Sequence, residues 1–129
     1  MRQHEQALLL LKKAQEDTAL LSEVLSSERI SNEIFGFHAQ QAAEKLLKAL
    51  LSEFSVSFPR SHNLRLLMDL LADVGHSLPS SLRDLDLLTP YGTLFRYEDI
   101  PAEVGLDRKT AFEMITVLRA YVEQKLDIR

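Results

Sequence analysis

The sequence predicts an all-α protein, an up-and-down bundle of four to five helices. Three observations carry this. Apolar residues recur at three- and four-residue intervals along most of the 129 residues. No stretch alternates apolar and polar residues over a useful strand length. Every proline, and every glycine except Gly36, falls at a joint between periodic segments. The length suits one domain, 1–129, with a real core.

The first helix is expected over 3–27, with Ala7, Leu11, Ala14, Thr18, Leu21 and Leu25 on one face and Lys12, Lys13, Glu16 and Asp17 off it. The second runs over 31–54, with Ser31 or Asn32 as N-cap. Its apolar set, Phe35, Ala39, Ala42, Ala43, Leu46, Leu47, Leu50 and Phe54, fills an arc of roughly 140°. The opposite arc carries His38, Gln41, Glu44, Lys45 and Lys48. Gly36 sits inside this helix, where glycine costs roughly 1 kcal/mol relative to alanine, so a close helix contact is expected there. Pro59 ends the connector that follows.

Ser61 is expected to cap a third helix over 62–74, with Leu64, Leu67, Leu70 or Leu71, and Val74 facing the core and Gly75 as its stop. Pro79 opens a short fourth helix over 79–88. Residues 89–106 are the least regular and hold the cluster Phe95-Arg-Tyr-Glu-Asp99. A final helix spans 108–126 behind Asp107 as N-cap. Phe112, Ile115, Leu118, Val122 and Leu126 form its main stripe, and Met114, Val117 and Tyr121 a second one. With Ile34 and Phe37 on the polar side of the second helix, this apolar surplus predicts a two-fold homodimer.

Composition excludes several functions. The formal net charge is −4, which argues against non-specific coating of nucleic acid. There is no cysteine, so no disulfide framework or thiolate metal site exists. No apolar run approaches a membrane span, and the polar N-terminus does not read as a secretory leader. A cytoplasmic location with no membrane association is therefore expected. His4, His38, His62 and His76 are never three or four residues apart, so no helical zinc pair forms. No Walker loop, dinucleotide fingerprint or nucleophile-elbow motif is present. No catalytic set, metal or cofactor is expected.

Two segments remain as candidate chemistry. His62 follows Arg60 at a loop-to-helix junction, where it serves either the capping turn or a site. Arg96-Tyr97-Glu98-Asp99 places a fixed cation, an aromatic hydroxyl and two carboxylates in a loop. There Arg96 either pairs with Asp99 or Glu44 to pin the loop, or lines a cleft with Tyr97 for a phosphate or nucleotide.

The helix Phe37-His-Ala-Gln-Gln-Ala-Ala-Glu-Lys-Leu-Leu-Lys-Ala-Leu-Leu51, the junction Pro59-Arg-Ser-His-Asn-Leu64 and the pair Arg96-Tyr97 together resemble the HEPN family, the higher eukaryotes and prokaryotes nucleotide-binding domain. The resemblance spans essentially the whole chain. It implies an all-α bundle, commonly a homodimer. It also implies work beside a minimal nucleotidyltransferase, often as a toxin–antitoxin pair, and a cleft that takes nucleotide or RNA. Gln41, Lys45, His62, Arg96 and Tyr97 are the residues expected to line that cleft. Gln41 would read polar groups, Lys45 and Arg96 would meet phosphate, and Tyr97 would stack or donate a hydrogen bond.

Some members are metal-independent endoribonucleases with an R-x(4–6)-H motif late in the chain. Here no arginine is followed by histidine at that spacing, and no histidine follows Arg96. The proline usual after the Arg-Tyr pair is Glu98. A non-catalytic, substrate-presenting subunit is therefore the leading expectation. The alternatives are a ribonuclease using His62 or His38 with Arg96, and a purely structural helical adaptor.

Overall fold

The computed structural model describes residues 2–92 and 106–127. Arg96 and Tyr97, with the rest of residues 93–105, lie outside the described residues. Within them the architecture is all-α: α1 Arg2–Val24, α2 Asn32–Glu53, α3 Leu64–Asp73 and α4 Arg108–Lys125, with two 3₁₀ segments, Ser80–Leu82 and Leu85–Gly92, after α3. No strand occurs among the described residues.

The small-residue seam of α2 explains its central place. Ala39, Ala42, Ala43 and Ala49 are fully buried, and short side chains let neighbouring helices approach closely. Leu46, Leu47, Leu50, Leu51 and Phe35 fill the gaps between them at 0% exposure, each contributing roughly 2 kcal/mol by leaving water. α1 lies antiparallel along α2, as the pairs His4–Glu53 and Asp17–Lys45 show. α4 packs against both α1 and α2. It runs antiparallel to α1, because Arg108 reaches Val24 while Glu123 reaches Gln15.

Most helix ends follow the expected capping chemistry. Ser31 accepts from the Ile34 amide at 3.2 Å, and Asp107 accepts from the Lys109 and Thr110 amides. Hydrogen bonds from Thr110, side chain first, hold the Asp107 carboxyl below its ordinary range. Gly75 stops α3 with φ +84°, the left-handed backbone that glycine takes without strain. His76 then stacks on Phe54, ring centroids 3.7 Å apart.

The structure departs from expectation in four places. The α3 cap is Asn63, whose side chain accepts from the Leu66 amide; Ser61 instead accepts from the amide of Asn63 itself, one step earlier. Val74 is 47% exposed and Met68 takes the core position, because α3 has already ended at Asp73. α1 stops at Val24 rather than residue 27.

The fourth departure is the expected helix over 79–88, which forms two 3₁₀ pieces. Pro90 inside the second lacks the N–H that an α turn needs. Leu82, Leu85, Leu88 and Tyr91, three residues apart, are all buried. That is the face a three-residue turn presents.

Arg108 ties the ends together. It donates to Val24 O and Ser27 O at 3.0 Å each, to Ile30 O, and to Asn32 Oδ1 at 2.8 Å, while lying over the Phe35 ring.

Candidate functional site

The polar arc of α2 is not a uniform solvated stripe. Gln40, Glu44, Leu47 and Leu51 follow the i, i+4, i+7, i+11 spacing of one helix face, and all four are buried. Two polar side chains thus enter the core side where α2 meets the start of α3, and burial obliges them to find partners.

Glu44 finds three. Its carboxylate accepts from Lys48 Nζ at 2.8 Å, from His62 Nδ1 at 2.8 Å and from Gln40 Nε2 at 3.1 Å. Burial pushes its pKa up, and the hydrogen bonds from Lys48, His62 and Gln40 outweigh that and bring it below the ordinary 4.5. Glu44 is therefore ionised at neutral pH. Lys48 also lies near the Phe58 ring.

The donor logic runs outward from Glu44. Gln40 Nε2 also donates to the His62 carbonyl at 2.9 Å. Both its partners only accept, so the Gln40 amide nitrogen must face them. That leaves Gln40 Oε1 to accept from Gln41 Nε2 at 2.9 Å. Gly92 abuts the same group: a β-carbon there would stand 2.8 Å from Gln40 Cδ. The Leu64 amide donates to Thr89 Oγ1 at 3.2 Å, fixing the 3₁₀ segment to the same junction.

Of the expected site residues, His62 and Gln41 join this network. Lys45 does not. It pairs with Asp17 of α1 at 2.7 Å, and Asp17 also meets His38 Nδ1 at 3.3 Å. Lys45 and His38 thus belong to the α1–α2 seam. Arg60, just before the junction, is exposed. Arg96 and Tyr97 lie outside the described residues; Gly92 stands four positions before Arg96 in the sequence.

Two residues of these clusters escaped the sequence reading. Gln40 carries a signal in its row with Leu47 and Leu51, which puts it on a partly buried face. Asp17 lies three residues after Ala14 and four before Leu21, at the edge of the α1 core stripe, and its side chain is only 12% exposed. No group of residues able to hold a metal ion occurs among the described residues. No described helix is long and apolar enough to cross a membrane.

Residues 7–126 match the sequence profile of the HEPN domain. The chain belongs to the HEPN family. No curated protein and no solved structure matches it significantly. HEPN membership supports a nucleotide- or RNA-related function. The all-helical bundle is the architecture this HEPN chain was expected to have.

Proposed function

We propose that this HEPN protein is a non-catalytic subunit that holds a nucleotide or RNA end and presents it to a minimal nucleotidyltransferase, in a toxin–antitoxin-like pair. The observation that carries the reading is the Glu44-centred network. It joins Gln40, Gln41, Lys48 and His62 into one preorganised and largely buried polar network at the α2–α3 junction, with His62 at its exposed end, and in the sequence Gly92 leads from it into the segment that bears Arg96 and Tyr97. Gln41, Lys45, His62, Arg96 and Tyr97 are the ligand-binding residues on this reading. Lys45 takes part only by exchanging Asp17 for phosphate.

Assembly as a homodimer belongs to the same proposal. Ile34 and Val117 are 37% and 40% exposed, and Phe37, Met114 and Tyr121 are half-buried. These are the surplus apolar positions that a second copy would cover.

The test is a thermal melt with mononucleotides and short RNA, beside co-purification from the native cell. A ligand that binds only the folded chain raises the melting temperature. The double variant Lys45→Ala with Arg96→Ala should lose that rise. An unchanged rise, or none in the wild type, overturns the site; a dimer that co-purifies with no nucleotidyltransferase overturns the partnership.

A second reading has one observation in its favour. His62 is oriented by a buried carboxylate in the manner of a general base, which suits a metal-independent endoribonuclease with a non-standard site. RNA cleavage in the presence of chelator, lost in His62→Ala, would establish it.

A further inference from the structure

Resting on that nucleotide-binding reading, we infer that His62 is a ribose reader: its Nε2 accepts a hydrogen bond from a 2′-hydroxyl, so the site prefers RNA to DNA. The geometry fixes which nitrogen is available. The Glu44 side chain is only 9% exposed and its ionised oxygens can only accept. His62 Nδ1, 2.8 Å from Oε1, must therefore carry the proton. In the neutral ring the lone pair then sits on Nε2, and the His62 side chain is 61% exposed. The carboxylate sets the tautomer and holds the ring plane.

A bare acceptor selects its ligand. Phosphate oxygens also only accept, so neutral His62 gains nothing from a phosphate and needs a donor. The 2′-hydroxyl is the donor that every ribonucleotide carries whatever its base, and it is the group that distinguishes RNA from DNA.

The neighbours point the same way. The chain of donors that orients Gln40 makes Gln41 a donor to Gln40, which leaves Gln41 Oε1 as a second acceptor with no partner among the described residues. The nearby ammonium groups are already engaged, Lys48 with Glu44 and Lys45 with Asp17. Beside His62 the described surface therefore offers two acceptors together with the exposed Arg60, a set that meets both the hydroxyl and the phosphate of a ribonucleotide.

The test compares single-stranded RNA, DNA and 2′-fluoro RNA of one sequence by fluorescence anisotropy at about pH 8. The wild type should bind RNA about tenfold tighter than DNA. The 2′-fluoro strand keeps the ribose shape but has no donor, so it should fall to the DNA level. His62→Asn retains an N–H at the Nδ1 position for Glu44 and lacks Nε2. It should melt near the wild type yet bind RNA and DNA alike.

Equal binding of RNA and DNA by the wild type overturns the ribose reading while nucleotide binding stands. So does a 2′-fluoro strand that binds like RNA, or a preference that survives in His62→Asn. Binding of none of the strands overturns both this inference and the reading beneath it.

Discussion

The ring of Tyr91 occupies the place where a side chain on residue 36 would begin: an ideal β-carbon on Gly36 stands 2.5 Å from Tyr91 Cγ and 2.9 Å from Cε1. The glycine inside α2 is therefore required by packing, since its backbone is helical and needs no left-handed freedom. Gly36→Ala should gain about 1 kcal/mol in helix propensity and lose about 2–3 kcal/mol by driving Tyr91 out of its seat. The expected net is a destabilisation of about 1–2 kcal/mol, read from the urea midpoint. A stabilised variant would show that the 3₁₀ segment yields easily.

Glu44 should make the fold sensitive to acid in a defined direction. Its folded pKa lies below 4.5, so the unfolded chain takes up the proton first as pH falls. The stabilisation is present above pH 4.5 and lost as pH drops through the folded value. Glu44→Gln should cost on the order of 2–3 kcal/mol at neutral pH, because Lys48, with a side chain 14% exposed, loses its counter-ion. Melting curves from about pH 7 to pH 3 should show the gap between wild type and variant narrowing at the acid end. A constant gap would mean that the carboxylate charge contributes nothing.

Capping at the α3 entrance separates two neighbouring residues. Asn63→Ala should cost about 1 kcal/mol, the usual loss of an N-cap oxygen. Ser61→Ala removes only the turn hydrogen bond to the Asn63 amide and should cost about half as much or less. Paired chemical denaturations decide it, and equal losses would return the cap to Ser61.

That last pair shows where sequence reading reaches its limit. Ser61 and Asn63 are both good cap residues, and only the position of the first helical turn decides between them. The long helices were legible because their stripes repeat over several turns; α1, α2 and α4 needed no tertiary information. The 3₁₀ face of Leu82, Leu85, Leu88 and Tyr91 was not read from the sequence, which predicted one short helix over 79–88. A three-residue period differs little from 3.6 over so short a stretch, and only the structure shows what Pro90 does there.

At the candidate site, the family motif led to Gln41 and His62. The burial of Gln40 and Glu44 was hidden because hydropathy treats an amide and a carboxylate as surface. Their partners are one another, Gln41 and Lys48 on α2 itself, and His62, which lies 22 and 18 residues further on. The family resemblance assigned Lys45 to the same cleft as Gln41, yet the approach of α1 gives it Asp17 instead. Such a choice depends on which neighbouring helix arrives with a carboxylate.

The clasp made by Arg108 has a consequence for how the chain is born. The α1–α2 hairpin is local and can assemble while the rest is still being synthesised. The carbonyls of Val24, Ser27 and Ile30 at its bend are satisfied by a guanidinium that lies 78 to 84 residues downstream. Until that residue has left the ribosome, Val24 O keeps only the turn hydrogen bond from the Ser27 amide, the Ser27 and Ile30 carbonyls turn to water, and the bend lacks its fastening. Completion of the fold is thereby timed to the emergence of α4, and a chain halted before it would expose both an unfastened bend and the apolar side of α1 and α2 to passing chaperones and proteases.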